Sequence, residues 1–169
     1  MLTQERLKEL LSYNSESGEF IWKIRRSRGA LAGGIAGRIS KAKRDAGGGY
    51  RWIGIDGKEY LAHRLAWLYM TGVEPQGDID HRNTDRADNR FANLREADGS
   101  QNMANKVRQA NNTTGFKGVS LNKATGKFVA SIQRGGAYKY LGLFKTPEQA
   151  HAAYAAEAKS LFGDFARSS

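Results

Sequence analysis

Two side chains with oxygen to offer and one imidazole stand at separations in this chain that suit hydrolytic chemistry. Asp80 and His81 are adjacent in the string Asp80-His81-Arg82-Asn83, Asn93 follows His81 by twelve positions, and Ser100-Gln101-Asn102 brings a further amide twenty-one positions beyond His81. A carboxylate and an amide oxygen, with water in the remaining positions, suit Mg²⁺ or Mn²⁺ better than zinc, which prefers sulfur and nitrogen. An imidazole with an ordinary pKa of about 6.5 is largely neutral at working pH and can take a proton from water. One hard metal ion beside one general base is the minimum equipment for hydrolysing a phosphodiester.

Neighbours on a regular strand point to opposite faces, so Asp80 and His81 can face one phosphate only if the strand bends at its end. Asn93 is the natural residue to hold that bend, its amide bridging backbone groups across the loop that contains Asn83, Asp85, Asp88 and Asn89. The same residue types populate ordinary turns. On composition alone the stretch would be a polar loop that contains a histidine.

The spacing taken together with Asn93-Leu94-Arg95 and Ser100-Gln101-Asn102 changes that balance. Residues 50–106 resemble the HNH, or ββα-metal, nucleases, and in particular the homing endonucleases of phages and introns. The resemblance implies a strand ending in Asp80-His81, an intervening loop pinned by Asn93, and a helix carrying the last metal ligand. On that pattern His81 is the general base, and Asp80 and Asn102 hold one Mg²⁺ or Mn²⁺. Asn105, one helical turn on, is a weaker match for the ligand. Metal-dependent cleavage of DNA to 5′-phosphate and 3′-hydroxyl ends is the activity implied, with Arg82 among the DNA contacts. His63, in His63-Arg64-Leu65, is a second imidazole. It is read as structural or substrate-facing, because a similar His-Arg-Leu string in such nucleases does not supply the base.

Charge and composition point the same way. The chain of 169 residues carries a net charge of +10, which favours a polyanion, since lysine and arginine displace counterions condensed on a nucleic-acid backbone. Residues 1–62 hold 12 basic and 7 acidic side chains, residues 63–112 hold 7 of each, and residues 113–169 hold 8 basic and 3 acidic. The neutral middle suits a cation site, and the basic flanks suit a duplex. No apolar window approaches the roughly 18 residues of a membrane span, and the N-terminus lacks a signal-peptide layout, so a soluble intracellular protein is expected. There is no cysteine, which excludes disulfides and cysteine-ligated structural zinc.

The elements that must position these residues follow from periodicity. Thr3 to Tyr13 reads as a helix capped by Thr3, Glu19 to Lys23 as a strand, and Arg25 to Gly49 as a basic, glycine-rich loop that either settles on phosphates or is a solvated linker. Tyr50–Ile55 and Glu59–Ala62 read as a hairpin closed by Asp56-Gly57. His63 to Met70 reads as a buried helix stopped at Thr71-Gly72. Asn93–Glu96 is the return strand, and Ser100–Val107 a helix capped by Asp98 or Ser100. The first domain is therefore placed at 1–106, with its ββα core at about 77–106, followed by a polar linker at 107–114.

Beyond the linker the strings Phe116-Lys117-Gly118-Val119, Gly126-Lys127-Phe128-Val129-Ala130 and Tyr140-Leu141-Gly142-Leu143-Phe144 precede an alanine-rich stretch from Pro147. They resemble the plant APETALA/ethylene-response-factor DNA-binding domain over residues 115–165. That resemblance implies three antiparallel strands backed by one helix, with the sheet in the major groove of double-stranded DNA. Lys117, Asn122, Lys127, Gln133, Arg134, Lys139 and Tyr140 are the expected contacts, while Ser120, Gln133 and Tyr140 depart from the plant pattern. His151 is read as helix surface or filler.

The fold class expected is α+β, a nuclease domain followed by a small sheet-on-helix domain, acting as a monomer or a homodimer. A metal-dependent DNA endonuclease is the first reading. A non-catalytic DNA-binding regulator on a decayed nuclease scaffold is the second, and an RNA-directed protein survives on charge alone.

Overall fold

The computed structural model describes residues 2–25, 30–40, 49–107 and 112–167, and the chain divides into two compact units, Met1–Glu96 and Ala97–Ser169. Both mix helices with small antiparallel sheets.

In the first unit α1 (Gln4–Leu10) starts where the Thr3 hydroxyl accepts the Arg6 amide, and it buries Leu7 and Leu10. The helix stops at Leu10, short of the Tyr13 expected from its apolar spacing. Leu11–Tyr13 instead forms β1, paired antiparallel with β2 (Phe20–Trp22), because Leu11 gains a ladder partner in Trp22. Residues 30–40 of the glycine-rich stretch are more ordered than their composition suggests. The Trp22 and Ala36 amides donate to the Gly34 and Phe20 carbonyls, Ala36 is fully buried, and β3 (Arg38–Ile39) pairs with β4 (Arg51–Ile55). Ala36 stands among glycines and exposed apolar residues such as Leu31 and Ile35, so no readable period marks it, which is why the sequence hid this segment. Residues 26–29 and 41–48 of it lie outside the described residues.

The hairpin of β4 and β5 (Lys58–Leu61) turns through Asp56 and Gly57, whose φ angles of 47° and 79° are those of a type I′ turn. It leads directly into α2 (Ala62–Thr71), which ends where Gly72 takes φ 80° and its amide reaches the Leu68 carbonyl. Arg64 in the first turn of α2 donates to the carbonyls of Pro75 and Gly77, and the Gln76 amide donates to the Glu96 carboxylate. These bonds fasten the chain leading into β6 (Asp78–His81), which pairs with β7 (Leu94–Ala97). The apolar core unites α1, α2, β2 and β4 with Ile79 of β6 and Leu94 of β7.

The first hairpin also buttresses the loop between β6 and β7. The Tyr13 hydroxyl donates to the Asn89 carbonyl and the Phe91 amide to the Ser15 carbonyl. Gly18, at φ 76°, lies so close that a Cβ there would stand 2.5 Å from the backbone of Asn89 and Arg90.

The second unit starts with α3 (Gly99–Asn105), closed by a capping box in which Asp98 and Gln101 exchange side-chain and backbone bonds. Its Ala104 belongs to the apolar cluster of Ile132, Tyr154, Ala158 and Phe162. The Gly135 amide donates to the Ser100 hydroxyl, and Lys117 Nζ donates to the carbonyls of Ala104 and Lys106. So α3 is tied to the C-terminal elements by core and by hydrogen bonds. These elements are β8 (Val119–Asn122), β9 (Lys127–Arg134), β10 (Ala137–Phe144) and α4 (Pro147–Phe162), with the three strands antiparallel in the order β10-β9-β8. Pro147 begins α4, capped by the Thr146 hydroxyl. The polar stretch expected as a linker is described only in part, since 108–111 lie outside the described residues.

Gly118 takes φ 73°, and a Cβ on it would fall 2.0 Å from the Tyr154 ring. Both the backbone region and the buried ring oppose any larger residue. Gly118→Ala is expected to destabilise the C-terminal unit by about 2 kcal/mol or more, read as a lower denaturation midpoint of its sheet signals.

Candidate active site

The loop from Arg82 to Asn93 is built around one amide. Asn93 is 8% exposed, its Oδ1 accepts the Asn83 amide, and its Nδ2 donates to Asn83 Oδ1 and to the Asp88 carbonyl. The Arg82 amide donates to the Asn93 carbonyl at 2.9 Å, and the Thr84 amide to the His81 carbonyl at 2.9 Å. Asn83 and Asp85 complete Asx turns by accepting the amides of Asp85 and Ala87. Thr84 is held at φ 66°, a region that a β-branched residue occupies only under constraint. Asp88 is pulled down to about pKa 2 by hydrogen bonds from the Arg90 side chain and backbone and from Asn83. The tight turn after His81 is thus closed by backbone and side-chain bonds alike.

Asp80 and His81 sit side by side on β6 and are both buried, 5% and 4% exposed. Their partners differ. Asp80 Oδ2 accepts both Nε and Nη2 of Arg95 on β7, at 2.9 and 2.8 Å, a charge pair with both side chains under a tenth exposed. His81 packs against His63, ring centroids 5.0 Å apart and planes 87° apart, and Tyr50 lies 5.2 Å from His63 and 6.1 Å from His81. The Arg86 guanidinium caps the Tyr50 ring at 5.2 Å.

Burial lowers the His81 pKa, partly opposed by the Asn89 hydrogen bond and by the charges of Asp80, Asp85 and Asp88. Burial, with the neighbouring His81 and Arg64, takes His63 down to about 3. Both rings are therefore uncharged near neutral pH, and His81 lies among carboxylates that would steady a proton once it arrived.

Among the described residues no three or more histidine, cysteine, aspartate or glutamate side chains gather into a metal cage. On β6 the buried carboxylate is Asp80, with Asp85 and Asp88 in the loop beyond it. That suits a hard ion that keeps its waters and binds through one or two protein oxygens and the substrate's phosphate, as Mg²⁺ does. Asn102 lies on α3 in the second unit, followed one turn on by the buried Asn105.

The residues expected on DNA fall into three groups. Arg82 is exposed and lines an open depression of 660 Å³ together with Arg90, Phe91 and Asn93. On the C-terminal sheet, strand alternation and pairing put Ser120, Asn122, Lys127, Val129, Ser131, Gln133, Tyr138 and Tyr140 on the face away from α4. Tyr138 and Tyr140 there are 66% and 56% exposed, and Asn122 spends its Oδ1 on the Ala124 and Thr125 amides. Lys117, Arg134 and Lys139 also have partners within their own unit. Lys117 clasps the end of α3, and burial lowers its pKa to about 8. Lys139, opposite Ile132, bonds Glu157 of α4 at 2.8 Å, and the Arg134 guanidinium lies 5.8 Å from the Phe162 ring. Residue type and a hairpin position suggest exposure, but only the register decides the face. His151 sits half-buried between the rings of Phe116 and Tyr154.

Residues 60–104, from β5 to α3, match the family model described as HNH endonuclease. That segment is similar to HNH endonucleases. This HNH segment contains Asp80, His81, Asn93 and Asn102, and His63 as well. No curated protein matches the chain. A solved structure described as "DNA binding and cleavage by the HNH homing endonuclease I-HmuI" is similar to it at 16% identity and a TM-score of 0.40, over 90% of this chain and 84% of that one. No helix among the described residues is long and apolar enough to cross a membrane.

Sequence reasoning missed Arg95, Tyr50, Asn89 and Arg86 around the HNH site. Arg95 had a signal, since it stands in the Asn93-Leu94-Arg95 string on the strand that pairs with β6. Tyr50 had none, because its role depends on where the residue ahead of β4 lands against His63 and His81.

Two outcomes follow from these environments. Arg95→Met removes the cation from a buried pair, so it should cost about 3–5 kcal/mol in the presence of a chelator, read by urea denaturation. In the unfolded chain His63 protonates near 6.5, but in the folded chain only near 3. The unfolded state therefore binds the extra proton in between, and stability falls as pH drops from 6.5 toward 3, by up to about 1.4 kcal/mol per pH unit for this one group. His63→Phe should flatten that loss between about pH 7 and pH 5 without abolishing it, because His81 is shifted the same way.

Proposed function

We propose that the protein is a metal-dependent DNA endonuclease in which His81 is the general base, Asn93 holds its loop, and Asp80 with Asn102 holds one Mg²⁺ or Mn²⁺. The observation that carries this reading is the environment of His81. It is an uncharged, buried imidazole at the end of β6, among Asp80, Asp85 and Asp88, inside the HNH segment. A base must begin neutral and tolerate the proton it receives, and this surrounding supplies both conditions.

In the reaction a water oxygen attacks the scissile phosphorus while His81 takes the water proton. The 3′ oxygen departs and takes a proton from solvent, leaving 5′-phosphate and 3′-hydroxyl ends. The bound metal ion would offset the charge that builds on the phosphate and the departing oxygen. Asp80 provides the hard anionic donor, and Asn102 is assigned by its place in the motif. Arg82 and Arg90 offer cations to phosphates beside the loop.

The C-terminal unit is proposed as the duplex-binding module, of the APETALA/ethylene-response-factor type by its strings. Its strand-strand-strand-helix order and the excess of basic residues after 113 support this. Lys127, Gln133 and Tyr140 are its outward contacts, and a small sheet of this kind fits the major groove. One such site per chain nicks a strand, and a homodimer would cut both. The Asp80–Arg95 pair favours a second reading, a non-catalytic DNA-binding regulator whose carboxylate is already committed to a guanidinium.

Plasmid cleavage separates the two. The first reading expects nicking that needs Mg²⁺ or Mn²⁺, stops with chelator, and drops about 10²–10⁴-fold in His81→Ala while DNA affinity is retained. Binding without cleavage under any divalent ion, or cleavage indifferent to His81, would overturn it. Added Mn²⁺ should also recover part of the stability lost in Arg95→Met, because the ion replaces the missing cation beside Asp80.

A further inference from the structure

The chemistry above uses His81 and leaves its neighbour His63 without a task. Both rings are buried, 4% and 5% exposed, and they meet edge to face with centroids 5.0 Å apart. Tyr50 lies against both rings, itself capped by Arg86. His63 Nδ1 is buried and makes no hydrogen bond among the described residues. Its contribution is therefore its ring, not a hydrogen-bonded strut at that nitrogen.

The backbone under that ring is fixed. His63 occupies the first turn of α2, and the next residue, Arg64, donates to the carbonyls of Pro75 and Gly77, just ahead of β6. The ring of His63 and the strand that carries His81 are thus referenced to one another through a short, bonded path. An imidazole needs such a reference, because the torsion about its ring bond is broad and roughly two-fold, unlike a staggered aliphatic torsion. A base whose nitrogen wanders loses rate even when substrate binds normally.

We infer that His63 is a positioning residue for His81, resting on the reading of His81 as the general base. The His63 ring blocks rotation of the His81 imidazole, so its basic nitrogen keeps one bearing. Because His63 stays uncharged, it does not oppose the imidazolium that forms when the proton is taken. An aromatic ring of similar breadth can do the same work, whereas an aliphatic side chain fills volume without presenting a flat wall.

The test compares His63→Leu with His63→Phe in the full-length protein. In single-turnover DNA cleavage His63→Leu should be slower by about tenfold to a hundredfold, with DNA affinity changed less than about twofold, and His63→Phe should stay within about threefold of the parent. In metal-free, DNA-free protein, the ring nitrogen and proton signals of His81 should report one orientation in the parent and in His63→Phe, and exchange between orientations in His63→Leu. Unchanged cleavage and unchanged His81 signals in His63→Leu would overturn the inference, as would a His63→Phe as slow as His63→Leu with its His81 ring still ordered. Should His63→Leu fail to fold, His63→Met takes its place in both measurements. The ring signals need no substrate, so a parent that cleaves no DNA would sink the endonuclease reading while leaving this one to be decided by magnetic resonance.

Discussion

One buried amide sets the shape on which the rest of the site depends. Asn93 satisfies the Asn83 amide, the Asn83 side chain and the Asp88 carbonyl from a single side chain. Without it the loop would lose three hydrogen bonds in a half-buried setting, each worth about 1 kcal/mol. The loop closes back on β6 just past His81, where the strand ends. The first hairpin supports the loop from the other side through Tyr13, Ser15 and Gly18. A segment remote in sequence from the motif thereby becomes part of its mould.

The two electrostatic environments on β6 are set by different means. Asp80 lies in a buried place where Arg95 approaches one of its oxygens through two nitrogens. His81 is kept neutral by burial while carboxylates wait nearby. Side chains adjacent in sequence thus sit in different surroundings, one against a guanidinium and the other against an aromatic wall. Asn89 and the Asx turns of Asn83 and Asp85 carry this arrangement into the loop.

The sequence made the motif legible because its chemistry is compressed into short strings, and helix starts such as Thr3 and Asp98 were readable from their capping chemistry. The Asp56-Gly57 hairpin was equally plain, since few residue pairs tolerate its dihedral angles. Illegible features share one physical origin: they depend on which residue lies opposite which. The end of α1 at Leu10 depends on Leu11 meeting Trp22, the order around Ala36 depends on Phe20, and the ring contact on both histidines depends on where Tyr50 lands. The partners that Lys117 and Lys139 find within the unit share that cause, one at the end of α3 and the other on α4.

The docking of α3 among the C-terminal elements has a consequence for how such chains can be recombined. The polar stretch after residue 106 looks like a natural seam for exchanging one targeting module for another. A graft made there would leave Ala104 without Tyr154 and Phe162 to cover it, and would strip the helix end of its ammonium clasp. A seven-residue helix is too short to persist in water by itself. Any donor module spliced at that seam would have to bring its own apolar cradle for the helix, so lineages of this architecture are constrained to swap the helix together with the sheet or to keep both.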